Sequence, residues 1–139
     1  MLEQLGERSV LPTLTAHLAE AVRVQGRGDE AFALTEASER LGSEDDLANG
    51  IAWRSVRAKI LAARGDGLAE TLAREAVALA ELTEFPGYHA AALIALASAL
   101  GRAGNEDEAA AALAKALELE ERKGNVVAAQ RIRMANFSD

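Results

Sequence analysis

The chain of 139 residues has no cysteine, two prolines, few aromatics and a shortage of basic charge. Each shortage closes off a class of chemistry. Without cysteine there is no disulfide and no thiolate nucleophile, and a zinc site would need other ligands. Aromatics are 4% of the residues. β-Branched residues are also sparse and no segment alternates strictly, so strand signals are weak. Fifteen Lys and Arg stand against 22 Asp and Glu, a formal net charge of −7. Phosphate binding needs clustered cations, so this balance argues against a nucleic-acid partner. It equally disfavours an anionic membrane surface. No apolar run reaches the ~18 residues of a membrane span. Residues 1–10 lack the basic start and apolar run of a secretory signal, so the expected location is cytoplasmic. The acidity leaves room for a basic partner or a divalent cation.

What the chain has in plenty is alanine. Half of the residues are apolar, and alanine dominates that half. Alanine has the highest helix propensity, and its small side chain lets helices approach closely. The length suits one domain with a continuous core.

The sequence repeats. Gly26, Gly65 and Gly104 are spaced by 39 residues, as are Ala19, Ala58 and Ala97, and Val22, Leu61 and Leu100. Each glycine closes one apolar-periodic segment and a second begins shortly after, as expected for a helix end in the left-handed conformation. The predicted helices are about 12–25, 29–41, 45–64, 68–83 and 88–103, then one from Asn105 to about 123 and a last one at about 126–135. They form three hairpins (12–41, 45–83, 88–123) and a C-terminal capping helix; the first and second helix of a hairpin are called A and B below. Ser43 is the expected cap of the second A helix. Asn105 and Glu108 have capping-box spacing for the third B helix. Phe85-Pro86-Gly87 breaks the chain between the second and third hairpins. In the second B helix the stripe Leu72, Ala73, Ala76, Val77, Ala80 fits the third repeat at an offset of 40, which implies one residue lost near Asp66-Gly67.

Leu93, Leu96, Ala97 and Leu100 on one face, then Ala109, Leu113, Ala116 and Leu117 on another, with Gly104-x-x-x-Glu108-Ala109 between them, resemble the tetratricopeptide repeat. Leu18-Ala19-x-x-Val22-x-x-x-Gly26 and Asp29-Glu30-Ala31 carry the same pattern, although Gly28 stands where that family commonly has an aromatic. The family's usual period is about 34 residues, so longer helices or connections are expected here. The resemblance implies an all-α, right-handed helical-hairpin solenoid, with the final helix (Val126, Val127, Ala129, Ile132) covering its open end. The stretches at 5–11, 43–66, 72–81 and 121–129 are also similar to the C-terminal helical region of bacterial signalling proteins that carry a class III adenylate/guanylate cyclase and an AAA-type ATPase. This second resemblance implies a fragment or short relative of such a protein. The cyclase and ATPase parts are absent and no phosphate-binding glycine loop is present, so neither activity transfers. The ending RIRMANFSD departs from the leucine-rich tail of those proteins.

Stacked hairpins of this type bind peptides along the concave face lined by their A helices. Matching the repeats places Ala16, Glu20 and Arg23, then Ser55, Lys59 and Ala62, then Ile94, Ser98 and Arg102 on that face. The expected function is a protein-interaction or regulatory module whose partner is a protein, a peptide or a second copy of the chain. Trp53, among Ile51, Val56 and Ile60, is either core or an interface anchor. Phe85 and Tyr88 are expected to pin the connection around Pro86.

A second reading is a small, metal-dependent, promiscuous phosphoester hydrolase on the same scaffold. His17 and Glu20 lie three apart on one helical face, a spacing that metal ligands use, and Glu44, Asp45, Asp46 and His89 offer further donors. The competing explanation is simpler, since acidic residues are favoured at a helix start in any case. Two histidines and no cysteine leave little for nucleophilic catalysis, and no catalytic residue is assigned.

Overall fold

The fold was analysed in a computed structural model that describes residues 2–123, 132 and 133, with side chains from residue 11 onward and excluding residue 123. The described part contains six helices and no strand: α1 (Leu2–Val24), α2 (Gly28–Leu41), α3 (Leu47–Ala63), α4 (Leu68–Glu81), α5 (Pro86–Arg102) and α6 (Glu106–Lys123). The helix expected at 126–135 lies outside the described residues apart from Ile132 and Arg133; Ile132 is buried in a cluster drawn mainly from α5 and α6, with Ala58 of α3 and Ala73 of α4.

Three glycines set the punctuation. Gly26, Gly65 and Gly104 have φ of 84°, 73° and 88°, and among the described residues no other has positive φ. Each makes the same pair of backbone bonds. The glycine N–H donates to the carbonyl three residues back (Arg23, Ala62, Gly101), and the next N–H donates to the carbonyl five back (Val22, Leu61, Leu100). This double bond pattern satisfies the last carbonyls of a helix and requires a left-handed residue. The repeat in sequence is therefore a repeat of helix ends.

Packing is between neighbours. α1 pairs with α2, α3 with α4 and α5 with α6; α3 also meets α1 and α2, and α5 meets α3 and α4. Among the described residues, no backbone of the first hairpin contacts that of the third. Ala19, Ala58, Ala73, Ala76, Ala90 and Ala116 are fully enclosed where helices cross. The buried stripe of α4 is Ala69, Ala73, Ala76 and Ala80, and its counterpart one repeat later in α6 is Ala109, Ala112, Ala116 and Glu120. Ala69 comes four residues after its glycine and Ala109 five, so α4 starts its inner face one residue early, as the shortened Asp66-Gly67 turn requires.

Three boundaries differ from expectation. α1 begins at Leu2, with Pro12 inside it. Proline removes one N–H and crowds one carbonyl, but the chain on both sides of it is helix-forming, so the helix continues through it. α3 is capped by Asp46, whose carboxylate accepts from the Asn49 N–H at 3.1 Å; the Ser43 backbone carbonyl instead accepts from the Asp46 N–H in the preceding turn. The Asn105 N–H is committed to Leu100 at 2.8 Å, and the Glu108 carboxylate pairs with Arg74 of α4 at 3.0 Å. Glu108 therefore does not close a capping box.

A buried polar knot joins the first three helices. Ser38 Oγ lies 2.8 Å from the Pro12 carbonyl and 2.7 Å from Asn49 Oδ1, and Asn49 Nδ2 donates to the Ser38 carbonyl at 3.1 Å. Ser38 and Asn49 are both enclosed. Polar atoms removed from water at this depth need partners, and here they supply one another across α1, α2 and α3.

Candidate functional site

The A helices bring together part of the expected face. Glu20 of α1 and Lys59 of α3 occupy equivalent positions one repeat apart, and Lys59 Nζ donates to Glu20 Oε2 at 2.7 Å. Arg23 grips the same carboxylate from one turn along α1, with Nε at 2.7 Å from Oε1 and Nη2 at 3.0 Å from Oε2. Ser98, the next residue in the column, is half-buried, and its hydroxyl donates to Ile94 of its own helix at 3.2 Å. Arg102 is exposed near the end of α5, but the strict period places Gly101 in register and Arg102 one position beyond.

The electrostatics follow from two cations sharing one carboxylate. Burial alone would raise the pKa of Glu20, but the Arg23 hydrogen bonds and the Lys59 charge outweigh it, and the carboxyl titrates below its ordinary range. Burial pulls Lys59 below the usual lysine value, against the opposing pull of Glu20. Arg23, Lys59 and Glu20 together carry one net positive charge, a local reversal in an acidic chain.

Other expected site residues sit elsewhere. Ser55 is buried and donates to the Ile51 carbonyl at 2.7 Å. Ala16 and Ala62 are buried between helices. Trp53 is also buried, and two guanidinium groups stack on its ring, Arg54 at 4.3 Å and Arg57 at 4.4 Å from the ring centroid. Arg57 is tethered to Thr35 and Glu39 of α2, and Arg54 to Glu75 of α4. The indole is thus roofed by arginines fixed on both flanking helices.

One contact had no forecast in the sequence. Tyr88, at the start of α5, reaches within 6.4 Å of the His17 ring on α1, and Phe85 packs edge-on to it at 6.0 Å. Aromatic side chains from the first and third hairpins meet although their backbones do not. The two rings meet across α3, one turn of α1 away from the Glu20 cluster. Burial, together with the negative charge of Asp46, raises the pKa of the Tyr88 hydroxyl.

The ligands of the hydrolase reading do not converge. Both Glu20 oxygens are occupied by Arg23 and Lys59, while His17 faces Tyr88. Asp46 caps α3, and Glu44 and Asp45 are exposed on its approach turn. Among the described residues, no group of three or more His, Asp or Glu has metal-binding geometry.

His89 lies on α5, with Lys115 of α6 and Glu81 of α4 acting on it, and its Nε2 is buried without a hydrogen-bond partner. Burial lowers its pKa, Lys115 lowers it further, and Glu81 opposes both. The unfolded chain then takes the proton first. The stability held by neutral His89 is complete above pH ~6.5 and declines as pH falls from there towards the folded value. The expected result is a smaller loss of melting temperature between pH 7 and pH 5 in His89→Gln than in the parent, measured by circular dichroism.

The chain matches no family model, and no curated protein or solved structure matches it either. Among the described residues no helix is long and apolar enough to cross a membrane.

Proposed function

We propose that the chain is a protein-interaction module that takes an extended, acidic peptide segment along the face of its A helices. The observation that carries this reading is the Glu20–Lys59 pair at 2.7 Å, one repeat apart and reinforced by Arg23. It sets a locally positive, part-exposed cluster across α1 and α3 in a chain of net charge −7. A carboxylate arriving there shares Lys59 and Arg23 with Glu20 at small ordering cost, because Glu20 already holds both cations in place. Arg102 offers a further cation along the face and Ser98 a hydroxyl, while the Tyr88 and His17 rings supply an apolar flank. By the same reading, and by the resemblance of 43–66 to cyclase–ATPase proteins, the module serves a regulatory role within a larger bacterial signalling assembly.

Selection of a random peptide library on the immobilised chain tests this. The reading predicts enrichment of peptides with acidic side chains or a free C-terminal carboxylate. Lys59→Met keeps the apolar stem and removes the charge, and should weaken the selected peptides about tenfold or more. Failure to enrich acidic peptides over neutral ones would overturn the reading.

A further inference from the structure

An open groove of about 550 Å³ lies between α1 and α2, walled by Leu18, Ala21, Val22 and Gln25 on one side and by Ala33 and Leu34 among others on the other. The 39-residue register maps the α1 wall onto Arg57, Ile60, Leu61 and Arg64 of α3. There the groove is filled. The Phe32 ring of α2 lies between the two guanidinium groups, 5.3 Å from Arg57 and 5.2 Å from Arg64. It packs on the buried clusters that hold Ile60 and Leu61. One period further, the wall becomes Leu96, Ala99, Leu100 and Ala103 of α5, and Leu72 of α4 packs on the clusters that hold the first three. Twice in the chain, then, this groove takes a large apolar side chain presented by a helix. In the first hairpin it stands open, with Ala21 and Ala33 exposed in its walls.

We propose that this groove receives an amphipathic helix of another protein, which inserts one Phe or Leu side chain between Leu18 and Gln25. The later hairpins take their occupant from the helix before them, joined through the turns at 42–46 and 82–85. The positions that match 42–46 are 3–7, and there α1 runs on as helix from Leu2. A hairpin attached upstream as the later ones are attached would need a turn at those positions. The occupant is therefore assigned to a separate chain.

The walls also set the chemistry of that helix. Around Phe32, Asp29 binds Arg64, while Thr35 and Glu39 bind Arg57. The first hairpin has Leu18 in place of Arg57 and Gln25 in place of Arg64, so acids at those positions of an incoming helix would be buried without a cation. The partner helix accordingly carries apolar residues three and seven positions after its Phe or Leu, and an uncharged polar residue three before it. The chain's own B helices do not meet this pattern: Phe32 has Asp29 and Glu39 at those positions, and Leu72 has Glu75. A second copy is thus a poorer occupant than a different protein. The charges on the groove's rim, Arg27 and Glu30, pair with each other and leave the apolar floor unopposed.

Selection of a display library of single helices, randomised along one face, on the immobilised full chain tests this. The expected result is enrichment of helices with a central Phe or Leu, apolar residues three and seven positions later and no acid at those sites. Ala21→Arg plugs the groove from an exposed position. It should weaken the selected helices about tenfold or more while leaving the melting temperature unchanged. Ala33→Arg plugs the opposite wall and replaces Ala21→Arg should that variant fail to fold. No enriched helix, or helices that bind the plugged chain as well as the parent, overturns the proposal. So does a parent chain that is dimeric by light scattering and becomes monomeric when the groove is plugged, because the occupant would then be a second copy.

Discussion

Replacing Trp53 with alanine is expected to cost about 3–5 kcal/mol of stability, the range for removing a large aromatic from a packed site. The indole is buried and covered by Arg54 and Arg57. Its loss opens a cavity and also strands two guanidinium groups that are positioned by the ring as well as by Glu75, Thr35 and Glu39. Trp53→Phe keeps the ring face for both arginines and should cost less than half as much. Chemical denaturation followed by circular dichroism checks both values. A cost for Trp53→Ala below about 1 kcal/mol, typical of surface substitutions, would show that the indole is not packed as described.

The second large effect centres on Asn49. Asn49→Ala removes two side-chain contacts, leaving the Ser38 carbonyl with the Gly42 N–H alone and the Ser38 hydroxyl with the Pro12 carbonyl alone, for an expected loss of about 1–3 kcal/mol. Gly42 is bound to the same knot. A Cβ built there falls 2.1 Å from Asn49 Nδ2 and 3.2 Å from its Cγ. Its φ of −83° suits any residue, so the need for glycine is steric. Gly42→Ala alone should destabilise by about 1–3 kcal/mol, as overpacking does. In the Asn49→Ala background the obstructing amide is gone and the same change should be nearly neutral. The two variants are therefore expected to be strongly non-additive in a double-mutant cycle, and additivity would place Gly42 away from Asn49.

Some of this was legible in the residues and some was not. The glycine period of 39 became three identical helix ends because only glycine adopts positive φ at little cost. The one-residue deficit before α4 was readable as well, since a buried stripe of alanines reports its own phase. The Ser38–Asn49 knot leaves a trace in the sequence: α2 buries Thr35 and Ser38 where α4 buries Ala73 and Ala76. Polar residues in an otherwise alanine stripe signal a buried partner, but which one depends on how three helices cross, and periodicity is silent on that. The repeat match was enough to read that Glu20 and Lys59 lie side by side. Helical phase alone did not show that Ser55 would turn inward and bond its own helix. The meeting of Tyr88 and His17 depends on how α1 and α5 sit on either side of α3, a property of no single repeat.

The measurement that bears most directly on the peptide-binding account is an amide chemical-shift titration of the ¹⁵N-labelled chain with an acidic, library-selected peptide. The account predicts perturbations concentrated on α1, α3 and α5 around Glu20, Arg23, Lys59, Ser98 and Arg102, abolished by Lys59→Met. Perturbations confined to α2, α4 and α6, or unchanged in Lys59→Met, would contradict it.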